Sequence, residues 1–177
     1  MAGNTPIPLT AMPIQLSSPV FVQGICCWSF DDAFVGRILK EDIPQRVRLG
    51  AARIWAYRDP SNEIVGFGTI DVCKDWKDIT GGKPHAHIPL LAVNPSKRGH
   101  GHGHAIIDHL IGEAVLLTYP PSSNCCDLLF LEVYTFSTPA ISLYEKHGFS
   151  KVRDEPFFDD VENQSYFLMA RRVSFVK

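Results

Sequence analysis

Three histidines, His100, His102 and His104, alternate with three glycines in the run Arg98-Gly99-His100-Gly101-His102-Gly103-His104. Two chemistries are open to such a run. Imidazoles could gather a metal ion, or glycines could let the main chain wrap a phosphate. The histidines would converge only on an extended loop, and no carboxylate or cysteine stands nearby to complete a ligand set. No metal is therefore expected.

The phosphate reading asks for a particular context: a strand before the loop and a helix after it. Both are present in the pattern. "HIPLLAVNP", residues 87–95, is an almost wholly apolar run ended by Asn94-Pro95, as expected of a strand buried on both faces. Beyond the loop, Ile106, Ile107, Leu110, Ile111 and Ala114 follow helical spacing, with Asp108, His109 and Glu113 on the other side. The first N–H groups of a helix are unpaired and carry positive partial charge, which suits an anion. Glycine at 99, 101 and 103 permits positive φ and a close approach of the main chain to phosphate oxygens. Arg98 adds a fixed charge of bidentate geometry.

The remaining elements must position this loop. Residues 1–20, rich in Pro, Ser and Thr, read as a loose tail leading into an edge strand. "SFDDAFVGRILKEDI", residues 29–43, reads as a helix with Ser29 or Asp31 as its cap. Residues 53–72 form a hairpin about the turn residues Asp59, Pro60, Ser61 and Asn62. "DLLFLEVYT", residues 127–135, is a second buried strand. "STPAISLYEKHGF", residues 137–149, is a short helix with Ser137 as N-cap, Pro139 in its first turn and Gly148 as a left-handed stop. Residues 149–173 close the chain as a hairpin. Alternating strands and helices define an α/β class, in which ligands sit at the carboxyl ends of strands.

With 177 residues, the chain is expected to form one domain over residues 1–177. A net charge of −2 and a mean hydropathy near zero give no general pull toward nucleic acid or membrane. Only the cluster Arg37, Lys40, Arg46, Arg48, Arg53 and Arg58 offers a basic patch, and a solvated surface accounts for it. No apolar run reaches the roughly 20 residues that a membrane span needs. The five cysteines fall as Cys26-Cys27, Cys73 and Cys125-Cys126 without C-x-x-C spacing, which points to reduced, mostly buried thiols and a cytoplasmic protein. The N-terminus lacks the pattern of a signal peptide.

Two stretches together resemble the GNAT superfamily of N-acetyltransferases. "LLAVNPSKRGHGHGHAIIDHLI" is similar to its acyl-CoA-binding motif, with Arg98, Gly101 and Gly103 on the R/Q-x-x-G-x-G/A signature. The later run maps Ser137, Ala140, Leu143, Tyr144, Glu145, Lys146, Gly148 and Phe149 onto the family's second motif, with Ser137 where asparagine is usual. The resemblance spans about residues 88–150. It implies a mixed, strongly twisted β-sheet flanked by helices and splayed between its two central strands at the cofactor site.

The same resemblance implies acetyl transfer from acetyl-CoA to the primary amine of a small molecule or peptide, by direct attack in a ternary complex. Gly99, His100, His102 and His104 join the motif glycines and Arg98 in the loop that would hold the pyrophosphate. Main-chain donors at Leu91, Ala92 and Val93 would meet the developing oxyanion. Ser137 and Ala140 would flank the pantetheine arm. Tyr144 occupies the position of the general acid for the leaving thiolate. The acceptor amine must lose a proton before attack. His87 stands where relatives carry a glutamate, with Asp71 and Glu132 as alternatives acting through a water. No His or Arg partner for Cys73 or Cys126 is legible, so a covalent cysteine route is not expected. A toxin-like enzyme acting on aminoacyl-tRNA and a non-catalytic acyl-CoA-binding protein are the competing readings. Trp76 and Trp55 are candidates to line an acceptor pocket, with core packing the expected fate of Trp55. A homodimer is the default expectation for assembly.

Overall fold

A computed structural model describes residues 8–13, 45, 47, 52–118, 125–161 and 163–173. The helix expected over residues 29–43 lies outside the described residues, as do Cys26, Cys27, Arg37, Lys40, Arg46 and Arg48. The elements are β1 (Thr10–Pro13), β2 (Ala52–Arg58), β3 (Ile64–Cys73), α1 (Lys77–Thr80), β4 (His85–Ile88), β5 (Leu91–Val93), α2 (His102–Thr118), β6 (Leu128–Tyr134), α3 (Thr138–Lys146), β7 (Ser150–Lys151), β8 (Phe157–Asp159) and β9 (Gln164–Arg172). They divide between two compact units. One comprises residues 1–70 and 90–110, the other residues 71–89 and 111–177.

In the first unit, β1 is an edge strand that lies antiparallel to β2, with Thr10 opposite Arg58 and Pro13 opposite Trp55. The expected hairpin joins β2 to β3. Its turn is held by the Asp59 carboxylate, which accepts the N–H groups of Ser61 and Glu63 and the Ser61 hydroxyl. Asn62 takes the left-handed conformation there, as an asparagine can. β5 pairs antiparallel with β3, Leu91 opposite Gly68 and Val93 opposite Gly66. The N-terminal half of α2 buries Ile106, Ile107 and Leu110 completely. Each such side chain contributes about 1.5–3 kcal/mol relative to exposure. Gly66 is what permits that approach: a Cβ there would stand 2.4 Å from Ile106 Cδ1 and 2.8 Å from the Ala92 carbonyl oxygen.

The second unit begins with the last residues of β3. Asp71, Val72 and Cys73 face His87, Ala86 and His85 of β4 across an antiparallel ladder. β4 is parallel to β6, and β6 is antiparallel to β9 along its whole length. β4 is thus the point at which the sheet becomes mixed. The parallel ladder ends at Ile88 opposite Leu131, although β6 continues to Tyr134.

The single strand expected over 87–95 is therefore two strands, broken at Pro89. Proline has no N–H to give a ladder. The closing hairpin is also more complex than expected, because β9 pairs with both β7 and β8. The intervening bend is held by Arg153, whose guanidinium lies 3.5 Å from the Phe157 ring centroid and donates to the Glu155 and Pro156 carbonyls. No described helix is long and apolar enough to cross a membrane.

Candidate active site

The glycine loop follows β5 directly. Pro95–Lys97 make one tight turn, started by the Asn94 side chain accepting the Ser96 N–H. Lys97 anchors this turn to the hairpin, bonding Glu63 and lying 3.6 Å from Asp59. Gly99 and Gly101 have φ of 80° and 81°, and nothing lies within 4 Å of a Cβ built on either. Their requirement for glycine is thus conformational, not a matter of space. Gly101 accepts the first helical N–H groups, from His104 and Ala105, so it is the N-terminal boundary of α2. The N–H groups of Gly101, His102 and Gly103 therefore precede any intrahelical acceptor. Gly103 lies inside the first turn.

The histidines of the loop separate into distinct roles. His100 is exposed, and its Nδ1 donates to the Arg98 carbonyl at 2.9 Å. His104 is exposed on the helix. His102 is buried at 5% exposure, and its Nδ1 has no hydrogen-bond partner among the described residues. Burial, followed by the neighbouring His100, holds its imidazole below the ordinary value. Arg98 is exposed, with Nε 3.4 Å from the Val93 carbonyl oxygen. An exposed guanidinium, main-chain N–H groups at a helix start and one unmatched buried imidazole nitrogen fit a pyrophosphate.

The β3–β5 register assigns the main-chain donors. Thr69 N–H donates to the Leu90 carbonyl and Asn94 N–H to the Val65 carbonyl. Antiparallel ladders alternate bonded and non-bonded pairs, so Phe67 and Ala92 form the bonded pair between them. The N–H groups of Leu91 and Val93 then point away from β3, the side on which Arg98 meets the Val93 carbonyl. Of the three expected donors, Ala92 is committed to the sheet; Leu91 and Val93 are the ones turned outward. This is a correction within the set, and its cause is the two-residue period of the strand.

In the second unit, α3 starts after Ser137 as expected, but the Ser137 side chain makes no capping bond. Its carbonyl accepts from Ala140 and Ile141 instead. Ala140 is half-buried on the first turn. Gly148 is the left-handed stop, with φ of 80°, and Arg171 donates to the His147 carbonyl at 2.6 Å, where a cation suits the helix end. Tyr144 is buried and packs edge-on to Phe149 at 6.0 Å. Burial pushes its phenol up to about 12, so it carries its proton throughout the neutral range.

The three candidate bases do not stand alike. His87 is buried at 7% exposure, not at a solvated strand end. Its Nδ1 lies 3.2 Å from Asp71 Oδ1, and Asp71 is its cross-strand partner. Two separate candidates are thus one couple. Glu132 is exposed on β6 opposite Leu168. Cys73, expected to lack a partner, is corrected by the same ladder: its Sγ lies 3.1 Å from His85 Nε2. Among the described residues, Cys73, Cys125 and Cys126 form no disulfide and are half-buried. Trp76 packs on this group, with ring centroids 5.2–5.3 Å from His85, His87 and Phe130. Trp55 is core, edge-on to His109, which also bonds the Tyr57 hydroxyl at 3.0 Å. The pairings were available as a pattern: Asp-x-Cys and His-x-His are both period-two spacings, but which strand faced which was not.

The profile of the acetyltransferase (GNAT) family matches residues 23–149. An amino-acid acetyltransferase of Mycobacterium tuberculosis is 29% identical over 132 residues, which cover 73% of this chain and 64% of that protein. Among solved structures, Arabidopsis thaliana NAA60 in complex with a bisubstrate analogue is similar with a TM-score of 0.65 at 19% identity, over 93% of this chain and 98% of that one. The spermidine/spermine N-acetyltransferase SpeG of Vibrio cholerae is similar with a TM-score of 0.62 at 16% identity, over 93% and 95% of the two chains.

Proposed function

Because the chain belongs to the GNAT acetyltransferase family, we propose that it transfers the acetyl group of acetyl-CoA to a primary amine by direct attack. The observation that carries this reading is the loop at the start of α2, with left-handed Gly99 and Gly101 and the unmatched His102 nitrogen. Acetyl-CoA supplies an activated thioester carbonyl. Arg98 and the N–H groups of Gly101, His102 and Gly103 hold its pyrophosphate. The outward N–H groups of Leu91 and Val93 stabilise negative charge on the carbonyl oxygen, a contribution that reaches about 2.7–4 kcal/mol for one well-placed donor.

His87 takes the proton of the acceptor ammonium, and Asp71 is the positioning residue that orients its imidazole. Tyr144 returns a proton to the leaving CoA thiolate. With its phenol near 12, Tyr144 is a weak acid against a thiol near 8.5, so its proton moves only as thiolate charge develops beside it. Ser137 and Ala140 border the pantetheine arm. The acceptor is the primary amine of a peptide or of a small molecule such as an amino acid or polyamine, the two small-molecule classes being those named for similar proteins. We place the protein in the cytoplasm.

The test is release of free CoA thiol from acetyl-CoA across a panel of amino acids, polyamines and peptides. Wild-type protein should release thiol with at least one of these classes, and Tyr144→Phe should lower kcat by roughly a hundredfold or more. Equal turnover in Tyr144→Phe would remove that residue from the mechanism.

A further inference from the structure

The end of β3 and β4 carry four metal-competent side chains on one face. Residues two apart in a strand share a face, and cross-strand partners project to the same side. Asp71 opposite His87 and Cys73 opposite His85 therefore make a two-by-two grid. The ligand atoms of Asp71, Cys73 and His87 all lie within 4.8 Å of one another. Asp71 and His87 are buried, and Cys73 is half-buried. His85 adds a fourth nitrogen at the thiol, and Trp76 packs on both imidazoles.

We propose that Asp71, Cys73 and His87, with His85 as the fourth donor, form a binding site for zinc. Sulfur, imidazole and carboxylate are the donor types zinc takes, usually four in a tetrahedron. With metal–ligand lengths of about 2.0–2.3 Å, tetrahedral donors stand roughly 3.3–3.6 Å apart. The two measured pairs, 3.2 Å for His87 to Asp71 and 3.1 Å for Cys73 to His85, are already close to that spacing. The donor atoms of Asp71, Cys73 and His87 otherwise lie within 4.8 Å of one another, so side-chain movement draws these three, and His85 with the thiol, onto the ion. The His85 ring is also held as a metal-bound imidazole is: its Nδ1 lies 3.3 Å from the Lys83 carbonyl oxygen, which leaves Nε2 toward the thiol. Binding replaces the thiol proton, which leaves to solvent as the thiolate coordinates. The histidines of the glycine loop cannot mimic this site, because no sulfur is among them.

Cobalt(II) chloride titrated into the reduced full-length protein reads the sulfur ligand directly. The expected result is a thiolate-to-cobalt charge-transfer band that saturates at one equivalent, disappears when zinc chloride is added, and is absent in Cys73→Ser. Zinc should also raise the melting temperature of wild type, and that rise should be lost in Asp71→Asn and His87→Gln, each compared with its own metal-free melting curve. Absence of the band, or a band unchanged in Cys73→Ser, overturns the site. One consequence rests on the acetyl-transfer reading: zinc on His87 blocks its role as base, so zinc should inhibit turnover and a chelator should restore it. A Cys73-dependent band with undiminished turnover keeps the zinc site and removes His87 as the base.

Discussion

At the scale of single residues, the two ends of the proposed proton path differ in kind. Tyr144 is a buried phenol whose hydroxyl has been pushed up to about 12 by burial alone. Replacing it with Phe removes one oxygen and leaves the ring packed on Phe149, so Tyr144→Phe should keep acetyl-CoA affinity within about threefold while turnover collapses. His102 offers a separate handle on stability. Its imidazole is held below the ordinary 6.5, chiefly by burial. The unfolded chain therefore takes up a proton near 6.5 while the folded chain resists until lower pH. His102 stabilises the fold fully above 6.5, and that contribution is lost as pH falls below it. Between pH 7.5 and 5.5 the melting temperature should fall less steeply in His102→Asn than in wild type. Equal slopes would contradict the burial of this ring.

At the scale of elements, strand, loop and helix were legible because each carries its own local signature: an apolar run, glycines, and a 3.6-residue stripe. The break at Pro89 has a local sign, a proline with no N–H for a ladder, but which strands β4 and β5 join and the three partners of β9 depend on long-range pairing. The same limit hid the coupling of Asp71 to His87 and of Cys73 to His85, which only the β3–β4 register decides. The glycines separate two kinds of element-level constraint. Gly101→Ala meets open space but must keep φ near 81°, which should cost about 1–2 kcal/mol and weaken acetyl-CoA binding. Gly66→Ala has an ordinary backbone but collides with the Ala92 carbonyl and Ile106. It should destabilise by about 1–3 kcal/mol and lower the melting temperature whether or not cofactor is present. Chemical denaturation of the two variants, with and without acetyl-CoA, separates these effects.

At the scale of the whole molecule, family membership is established across residues 23–149, whereas the choice of acceptor is not written in the motifs. The cofactor motif is short and local, so a single sequence displays it. The segment 74–87, proposed to meet the acceptor, brings Trp76, His85 and His87 together only through folding. The central claim is that the loop from Arg98 to Gly103 holds the pyrophosphate of acetyl-CoA, and calorimetric titration of acetyl-CoA into the protein tests it most directly. Wild type should bind one equivalent, and Arg98→Ala should bind at least tenfold more weakly, the loss expected for one charge-assisted contact of about 1.5–3 kcal/mol. Absence of binding at millimolar acetyl-CoA, or equal affinity in wild type, Arg98→Ala and Gly101→Ala, would contradict it.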